Sequence, residues 1–169
     1  FLTGIARFIN GYKVFMPTEF MHGLYDQGHG AGLEDFWASY TAHPLFAGGF
    51  MWDFSDNAVK RVDKGGILDS DGSNGTDGIL GPYREKEGSY YTVRDIWAPI
   101  QFENFCITPG FNGEFIVRND YLFSNLNTCK MEYKIFTAPS PLKSGQTQEI
   151  ASGIITLPAI GPREAGKAC

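Results

Sequence analysis

Two stretches decide the fold, and the first is Val14-Phe15-Met16-Pro17-Thr18-Glu19-Phe20-Met21-His22, a short apolar run that delivers a carboxylate and then a histidine. The pattern recurs in Phe46-Ala47-Gly48-Gly49-Phe50-Met51-Trp52-Asp53-Phe54-Ser55-Asp56, which is again apolar and ends in an aromatic residue and acids. In α/β barrels, catalytic groups stand at the end of a buried strand that is followed by a loop and a helix. The two stretches therefore predict two successive βα units that point functional side chains at one face.

The length limits how much of a barrel this chain can form. It has 169 residues, whereas a closed eightfold βα barrel needs roughly 250. A whole barrel cannot fit, so we expect the N-terminus to be a cut and the apolar strands to form only part of a wall. In that case Val14, Phe15, Phe50 and Trp52 would be left partly uncovered.

Two helices complete the predicted βα units. Residues 32–43 place Leu33, Phe36, Trp37 and Tyr40 at helical spacing, and Pro44 ends the pattern. A second amphipathic helix is predicted over 87–97, before Pro99. Between the second strand and this helix, residues 63–81 are rich in Gly, Asp and Ser, which predicts a long functional or mobile loop.

The pattern changes from residue 100 onward. Polar and apolar residues alternate in four segments, 102–108, 113–119, 129–136 and 149–157, with turn residues between them. Several short strands at this spacing favour an immunoglobulin-like antiparallel β-sandwich. We therefore predict a barrel portion over 1–100 and a sandwich domain over 101–169 that is incomplete, with residues 161–169 as an unstructured end.

Composition excludes several classes of partner. The net charge of −5 and the lack of a Lys/Arg cluster argue against nucleic acid. No apolar run approaches the roughly 20 residues of a membrane-spanning helix. The three cysteines are expected to be isolated thiols, with a cross-strand pair of Cys106 and Cys129 as the alternative, and no Cys-x-x-Cys pair suggests zinc. Aromatic residues make up 15% of the chain; rings for stacking and acids for hydroxyls suit a carbohydrate ligand, although an aromatic core explains this content as well.

Individual acids and histidines have simpler readings as well as functional ones. Glu19 alone is more often a capping or salt-bridged acid than a catalytic group. Asp53 and Asp56 could hold a metal, but short acids after a strand more often cap the next turn or pair with Arg61 or Arg84. His29 and His43 are expected to be a loop residue and a helix-end residue. Glycoside hydrolysis would need two acids, about 5–5.5 Å apart when configuration is retained.

Several spaced blocks together resemble glycoside hydrolase family 2. They are Thr18-Glu19-Phe20-Met21-His22-Gly23, then 48–56, then Asp77-Gly78-Ile79 with Arg84, followed by the passages 90–107 and 119–126. The resemblance runs from the end of the catalytic barrel, through its eighth strand, into the next β-sandwich domain. It implies the last two βα units of a (β/α)8 barrel followed by the start of an immunoglobulin-like domain.

The resemblance carries over to individual positions. Glu19 matches the nucleophile of a retaining, exo-acting β-galactosidase that removes terminal non-reducing β-D-galactose by double displacement. His22 and Trp52 match substrate-binding residues, the second as the floor of the sugar pocket. Asp77 stands where galactosidases carry an asparagine, and Arg84 matches a family arginine whose role we take as structural.

The resemblance also defines what this chain lacks. The acid/base glutamate of the family follows an asparagine, and no Asn-Glu pair occurs in these residues. We therefore expect a piece of a larger enzyme that is inactive alone and has the rest of the parent polypeptide as a partner, with oligomerisation left open. The resemblance implies no cofactor or metal for the fragment, leaves a divalent or sodium ion open for the full enzyme, and suggests the bacterial cytoplasm or periplasm.

Charge narrows the expected substrate. Glucuronidases of this family read the sugar carboxylate with an Asn-x-Lys motif, which is replaced here by Gly75-Thr76-Asp77. A second negative charge disfavours uronic acids, so galactosides are expected first. The alternatives are another family 2 enzyme, a β-mannosidase or β-glucuronidase, and a non-catalytic carbohydrate-binding module in which the sandwich binds the sugar.

Overall fold

The computed structural model describes residues 12–22, 30–103 and 105–169. The chain divides into two compact units, Phe1–Trp97 and Ala98–Cys169. The first holds β1 (Phe20–His22), α1 (Leu33–Thr41), β2 (Met51–Trp52), β3 (Val59–Arg61), β4 (Ile67–Asp69) and α2 (Gly88–Ile96). The second holds β5 (Ile100–Glu103), β6 (Phe115–Asn119), β7 (Lys130–Thr137), β8 (Gln148–Thr156) and β9 (Ala165–Ala168).

A parallel strand pair and two helices organise the first unit. β1 pairs with β2 in parallel, with Phe20 opposite Met51 and His22 opposite Trp52. The same two segments also meet earlier in a parallel bridge between Phe15 and Phe46. The predicted second strand, 46–54, is therefore regular only at Met51–Trp52, because the backbone turns to a φ of +100° at Gly48.

The helices bury the face that their sequence pattern predicts. Leu33 and Tyr40 of α1 form one core with Phe20 of β1 and Val93 of α2. The ring of Tyr40 meets that of Phe20 edge-on, at 5.5 Å between centroids. Tertiary burial thus fixes these two short helices, which would be marginal in isolation.

Alternate residues of the two strand segments face away from this core. Val14, Met16, Phe50, Trp52 and Phe54 are all exposed. Phe15 is partly buried and packs edge-on against Tyr40, with 5.4 Å between ring centroids. The first unit therefore has one sheet face covered by helices and one apolar face open.

Part of the predicted loop over 63–81 is instead a hairpin. β3 and β4 pair antiparallel, from Val59 opposite Asp69 to Arg61 opposite Ile67. A 3₁₀ turn, Val62–Lys64, and two glycines with positive φ, Gly65 and Gly66, connect them. Each strand has only three residues, too few for an alternating pattern to stand out.

The second unit contains two sheets among its described residues. One is antiparallel in the order β5-β6-β9, and the other is the antiparallel pair β7-β8. Its core consists of Val117, Leu126, Leu157, Ile160 and Ala168. An immunoglobulin-like sandwich for this unit, like the barrel origin of the first, stays a prediction.

The expectation of an unstructured end over 161–169 is wrong. β9 pairs with β6, with Val117 opposite Gly166 and Phe115 opposite Ala168. A Cβ on Gly166 would lie 2.8 Å from the Ile160 side chain, so this strand needs small residues to sit against the core. It lacks the bulky alternation by which strands are recognised from sequence. The predicted strand 102–108 also ends early, since 105–108 lie outside β5.

The structure also describes the state of the cysteines and the character of the helices. Cys106, Cys129 and Cys169 are all free thiols. Within the described parts of the chain, neither helix has the length and apolar character that crossing a bilayer requires.

The hydroxyl of Tyr40 gives a direct test of this core. The residue is 1% exposed, and its hydroxyl has no hydrogen-bond partner among the described residues. Burial also raises the pKa of this phenol. Because an unpaired buried hydroxyl is destabilising, Tyr40→Phe is expected to raise the free energy of unfolding by about 1 kcal/mol.

Thermal unfolding followed by tryptophan fluorescence measures this effect, since Trp37, Trp52 and Trp97 all lie in the first unit. Tyr12→Phe is the matched control, because Tyr12 is fully exposed. A clear destabilisation by Tyr40→Phe would mean that the hydroxyl is hydrogen-bonded in solution.

Candidate functional site

The short β1–β2 pair and the residue before it carry three of the four predicted site positions. Glu19 is exposed and directly precedes β1. His22, the last residue of β1, is paired in register with Trp52, the last residue of β2. The side chain of His22 lies outside what the structure describes, as does the whole of His29.

The backbone at this strand end is held in an unusual conformation. Met21 has a φ of +52°, and the pairing register shifts between Phe20 and His22. Left-handed backbone at a residue with a side chain carries strain, which occurs preferentially at functional sites.

Gly49 allows the two segments to approach closely beside Glu19. Phe20 donates its amide to Phe50 O at 3.0 Å, and Phe50 donates its amide to Pro17 O at 3.0 Å. A Cβ on Gly49 would lie 2.9 Å from the Pro17 ring and 3.0 Å from the Phe20 ring. A larger residue there would push apart the segments that carry Glu19 and Trp52.

Trp52 supplies an apolar surface at the same place. Its side chain is 42% exposed, and Phe50 and Phe54 are exposed two positions to either side. An exposed indole beside a carboxylate can stack on the C–H face of a sugar ring while the carboxylate meets polar atoms.

The fourth predicted position, Asp77, joins this group through the backbone. Asp53 donates its amide to Asp77 O at 2.9 Å, and Ile79 donates its amide to Asp53 O at 3.2 Å. Further along, Asp56 donates its amide to Leu80 O at 2.8 Å. Segments 53–57 and 75–80 therefore run side by side, and this pairing fixes Asp77 next to the residue that follows Trp52.

Asp53 and Asp56 form contacts that differ from those predicted. Asp53 Oδ2 accepts from Asn57 Nδ2 at 2.9 Å, and Asp56 Oδ1 accepts from the Gly78 amide at 3.0 Å. Arg61 bonds Asp63 and Asp69 within the β3–β4 hairpin instead. Arg84 donates to the hydroxyl of Ser55, which ties the 81–87 segment to the same strand end.

Asp56 is a buried acid in a negative environment. It is 8% exposed, and this burial is the main cause that raises its pKa above the ordinary aspartate value. The bond from the Gly78 amide lowers the pKa, while the charges of Asp53, Glu85 and Asp77 raise it.

No group of three or more His, Cys, Asp or Glu side chains in the described residues could hold a metal ion.

The raised pKa of Asp56 predicts a pH-dependent stability. Between the unfolded-state pKa and the raised folded-state pKa, the folded chain binds more protons, so the free energy of unfolding falls as pH rises through that window. Asp56→Asn removes this dependence, and we expect it to be more stable than the wild type at neutral pH. The difference should vanish below the unfolded-state pKa.

Urea unfolding at a series of pH values measures this, with Asp35→Asn on the exposed face of α1 as control. A stability difference between Asp56→Asn and the wild type that does not change with pH would contradict the assignment.

The role of Asp56 was not assigned from sequence. Gly75 and Gly78 were the available signal, because a Cβ at either would lie 2.3 Å from backbone atoms of segment 56–57. Such glycines mark a close approach of two backbones, but the sequence does not show which backbone approaches.

His43, predicted at a helix end, follows α1 and accepts from the Leu45 amide through Nδ1 at 3.2 Å.

Comparison with known proteins relates the chain to carbohydrate-cleaving enzymes. It is 24% identical over 131 residues to a beta-galactosidase of Priestia megaterium, covering 70% of this chain and 12% of that protein. It is 28% identical over 98 residues to a beta-galactosidase of Actinobacillus pleuropneumoniae (54% and 10%). Over 153 residues it is 24% identical to beta-galactosidase BgaC of Bifidobacterium adolescentis (83% and 14%).

Solved structures with some similarity are also glycosidases. One is a beta-D-mannosidase from Dictyoglomus thermophilum, with a TM-score of 0.35 and 16% identity over 83% of this chain and 14% of that one. Another is a family 39 glycoside hydrolase from Bacteroides cellulosilyticus, with a TM-score of 0.40 and 10% identity over 92% and 33%. These TM-scores are too low to establish a shared fold.

No family model matches the chain. The chain spans 12% to 14% of the length of the first curated relatives that it matches. The sequence matches nevertheless relate it to the glycoside hydrolases.

Proposed function

We propose that this chain is part of a retaining, exo-acting β-galactosidase of glycoside hydrolase family 2, in which it supplies the nucleophile and part of the sugar pocket. The observation that carries the proposal is the parallel pairing of β1 with β2. β1 begins directly after Glu19, and the pairing sets His22 opposite Trp52. The similarity to proteins named beta-galactosidase supports the same assignment. In this proposal the two strands are the last two of a (β/α)8 barrel.

In the proposed reaction, Glu19 attacks the anomeric carbon of a terminal β-galactoside. The C–O bond to the leaving group breaks as an ester bond to a Glu19 oxygen forms, and an acid from elsewhere in the parent polypeptide protonates the departing oxygen. That group then takes a proton from water as the water oxygen attacks the anomeric carbon. The bond from that carbon to Glu19 breaks, which regenerates the Glu19 carboxylate and releases β-D-galactose. Two inversions at one carbon retain its configuration.

The remaining residues bind and orient the sugar. The exposed face of Trp52 stacks on the pyranose ring, and the carboxylate of Asp77 accepts hydrogen bonds from sugar hydroxyls. His22 is assigned the binding of a further hydroxyl. Because Asp77 brings a negative charge, it favours neutral hexosides over uronic acids.

Substrate choice tests this assignment in the longer enzyme. We expect kcat/KM for an aryl β-galactoside to exceed that for the matching aryl β-glucuronide by at least about a hundredfold, since a buried like-charge contact costs several kcal/mol. The measurement is initial-rate hydrolysis of both substrates under identical conditions. Comparable values would show that Asp77 does not face the sugar, and preference for a β-mannoside would assign the enzyme to that activity.

Variants distinguish a glycosidase site from a carbohydrate-binding module. Trp52→Ala should lower kcat/KM for both substrates, whereas Phe123→Ala, at an exposed position of the second unit, should leave kcat/KM unchanged. If sugar binding instead survives Trp52→Ala and is lost on changes in the second unit, the chain is a carbohydrate-binding module.

A further inference from the structure

The turn that carries Asp77 is held by a side chain as well as by backbone pairing. Asp56 Oδ1 accepts from the Gly78 amide at 3.0 Å, and Gly78 directly follows Asp77. Both Asp56 and Gly78 are buried. A buried backbone amide needs an acceptor, and Asp56 Oδ1 supplies it here.

The contact has no room for adjustment. A Cβ on Gly78 would lie 2.3 Å from Asp56 N and 2.4 Å from Ser55 C, and these are backbone atoms that cannot rotate away. Gly78 is therefore fitted against the backbone next to Asp56. The amide can reach the carboxylate only because position 78 has no side chain.

The same contact is connected to the Trp52 side of the site. Asp53, which follows Trp52, donates its amide to Asp77 O at 2.9 Å and accepts from the Ile79 amide at 3.2 Å. The carbonyl of Asp77 and the amides of Gly78 and Ile79 are therefore all hydrogen-bonded to residues 53 and 56. These three bonds fix the turn that carries Asp77 relative to the strand that ends at Trp52.

We propose that Asp56 is a positioning residue that holds Asp77 at the distance from Trp52 at which both contact a single sugar ring. This inference rests on the proposed function, since it assigns Asp77 and Trp52 to one ligand. An ionised acid is unfavourable at this position, because it is buried and because Asp53, Glu85 and Asp77 add like charge. Its acceptor oxygen, rather than its charge, is the feature that the turn uses.

The test compares Asp56→Ala with Asp56→Asn in the full 169-residue chain. Asparagine keeps an acceptor oxygen for the Gly78 amide, whereas alanine removes it. Hydrogen exchange of the Gly78 amide, measured by NMR, should accelerate about tenfold or more in Asp56→Ala and stay near the wild-type rate in Asp56→Asn. The Trp97 amide, bonded to Val93 O at 2.9 Å at the end of α2, serves as the reference for opening elsewhere in the first unit.

The dissociation constant of methyl β-D-galactoside, measured by calorimetry on a longer enzyme that contains this chain, gives the second readout. Asp56→Ala should raise the dissociation constant about tenfold or more, Asp56→Asn should match the wild type, and Asp35→Ala should change nothing. Equal Gly78 exchange in all variants, or equal acceleration at Gly78 and Trp97, would overturn the positioning role. If the wild type binds no galactoside while Gly78 exchange behaves as expected, the sugar assignment fails and with it the ligand part of this inference.

Discussion

Replacing Glu19 by Gln is expected to lower glycoside turnover by several orders of magnitude in a longer enzyme that contains this chain. The amide has nearly the same volume but cannot form the glycosyl ester, so the chemical step is lost while the fold remains. Glu19 is exposed and lies at the entry to β1, outside the Phe20–Leu33–Tyr40–Val93 core. The substitution should therefore leave the thermal unfolding temperature almost unchanged.

A covalent trap identifies the nucleophile directly. A 2-deoxy-2-fluoro-β-galactoside with a good leaving group should inactivate the enzyme, and peptide mapping should place the label on Glu19. The matched control is Glu34→Gln, an exposed glutamate in the first turn of α1, which should keep wild-type turnover. A label on any other carboxylate would refute the assignment, whatever the activity of Glu19→Gln.

Asn119→Asp is expected to produce the largest loss of stability, about 3 kcal/mol or more from the second unit. Asn119 is 0% exposed, and its Nδ2 donates to Ser124 O at 2.9 Å and to Ile160 O and Gly161 O, each at 3.0 Å. Its Oδ1 accepts from the Tyr121 amide at 3.0 Å. A carboxylate would set a negative charge against three carbonyl oxygens.

The effect has a distinctive pH dependence. Burial among carbonyl oxygens should raise the pKa of the introduced carboxyl, so its protonation restores a donor as pH falls and the loss of stability should shrink in acid. Exchange of the Val117 and Arg118 amides in β6, measured at several pH values, reports this unit. Asn127→Asp, at an exposed position of the 3₁₀ turn Leu126–Thr128, is the control. A loss independent of pH would mean that lost packing, rather than charge, is responsible.

Local sequence patterns were sufficient for the two helices and for some of the strands. The spacing of Leu33 and Tyr40, ended by Pro44, predicts α1 within two residues of its observed bounds, because helix periodicity involves neighbours along the chain. The apolar run around Trp52 likewise predicts a strand, of which only Met51–Trp52 is regular. The regular strand beside Glu19, Phe20–His22, follows the acid, whereas the predicted strand ended on it.

Features that depend on distant partners were not predictable in the same way. β9 is a strand because β6 offers it backbone groups and Ile160 leaves room only for small residues, and nothing in Ala-Gly-Lys-Ala itself indicates this. The β3–β4 hairpin depends on a turn with two left-handed glycines and on the bond from Arg61 to Asp69.

The same division applies to the candidate site. The sequence by itself determined which side chains are available, since Glu19, His22, Trp52 and Asp77 stand in recognisable blocks. Tertiary structure decided what holds them: the β1–β2 register sets His22 opposite Trp52, and the bond from Gly78 to Asp56 holds the turn of Asp77. The physical reason is that a side chain's identity is encoded at one position, whereas a close approach between residues 22 positions apart arises only when the chain folds back on itself.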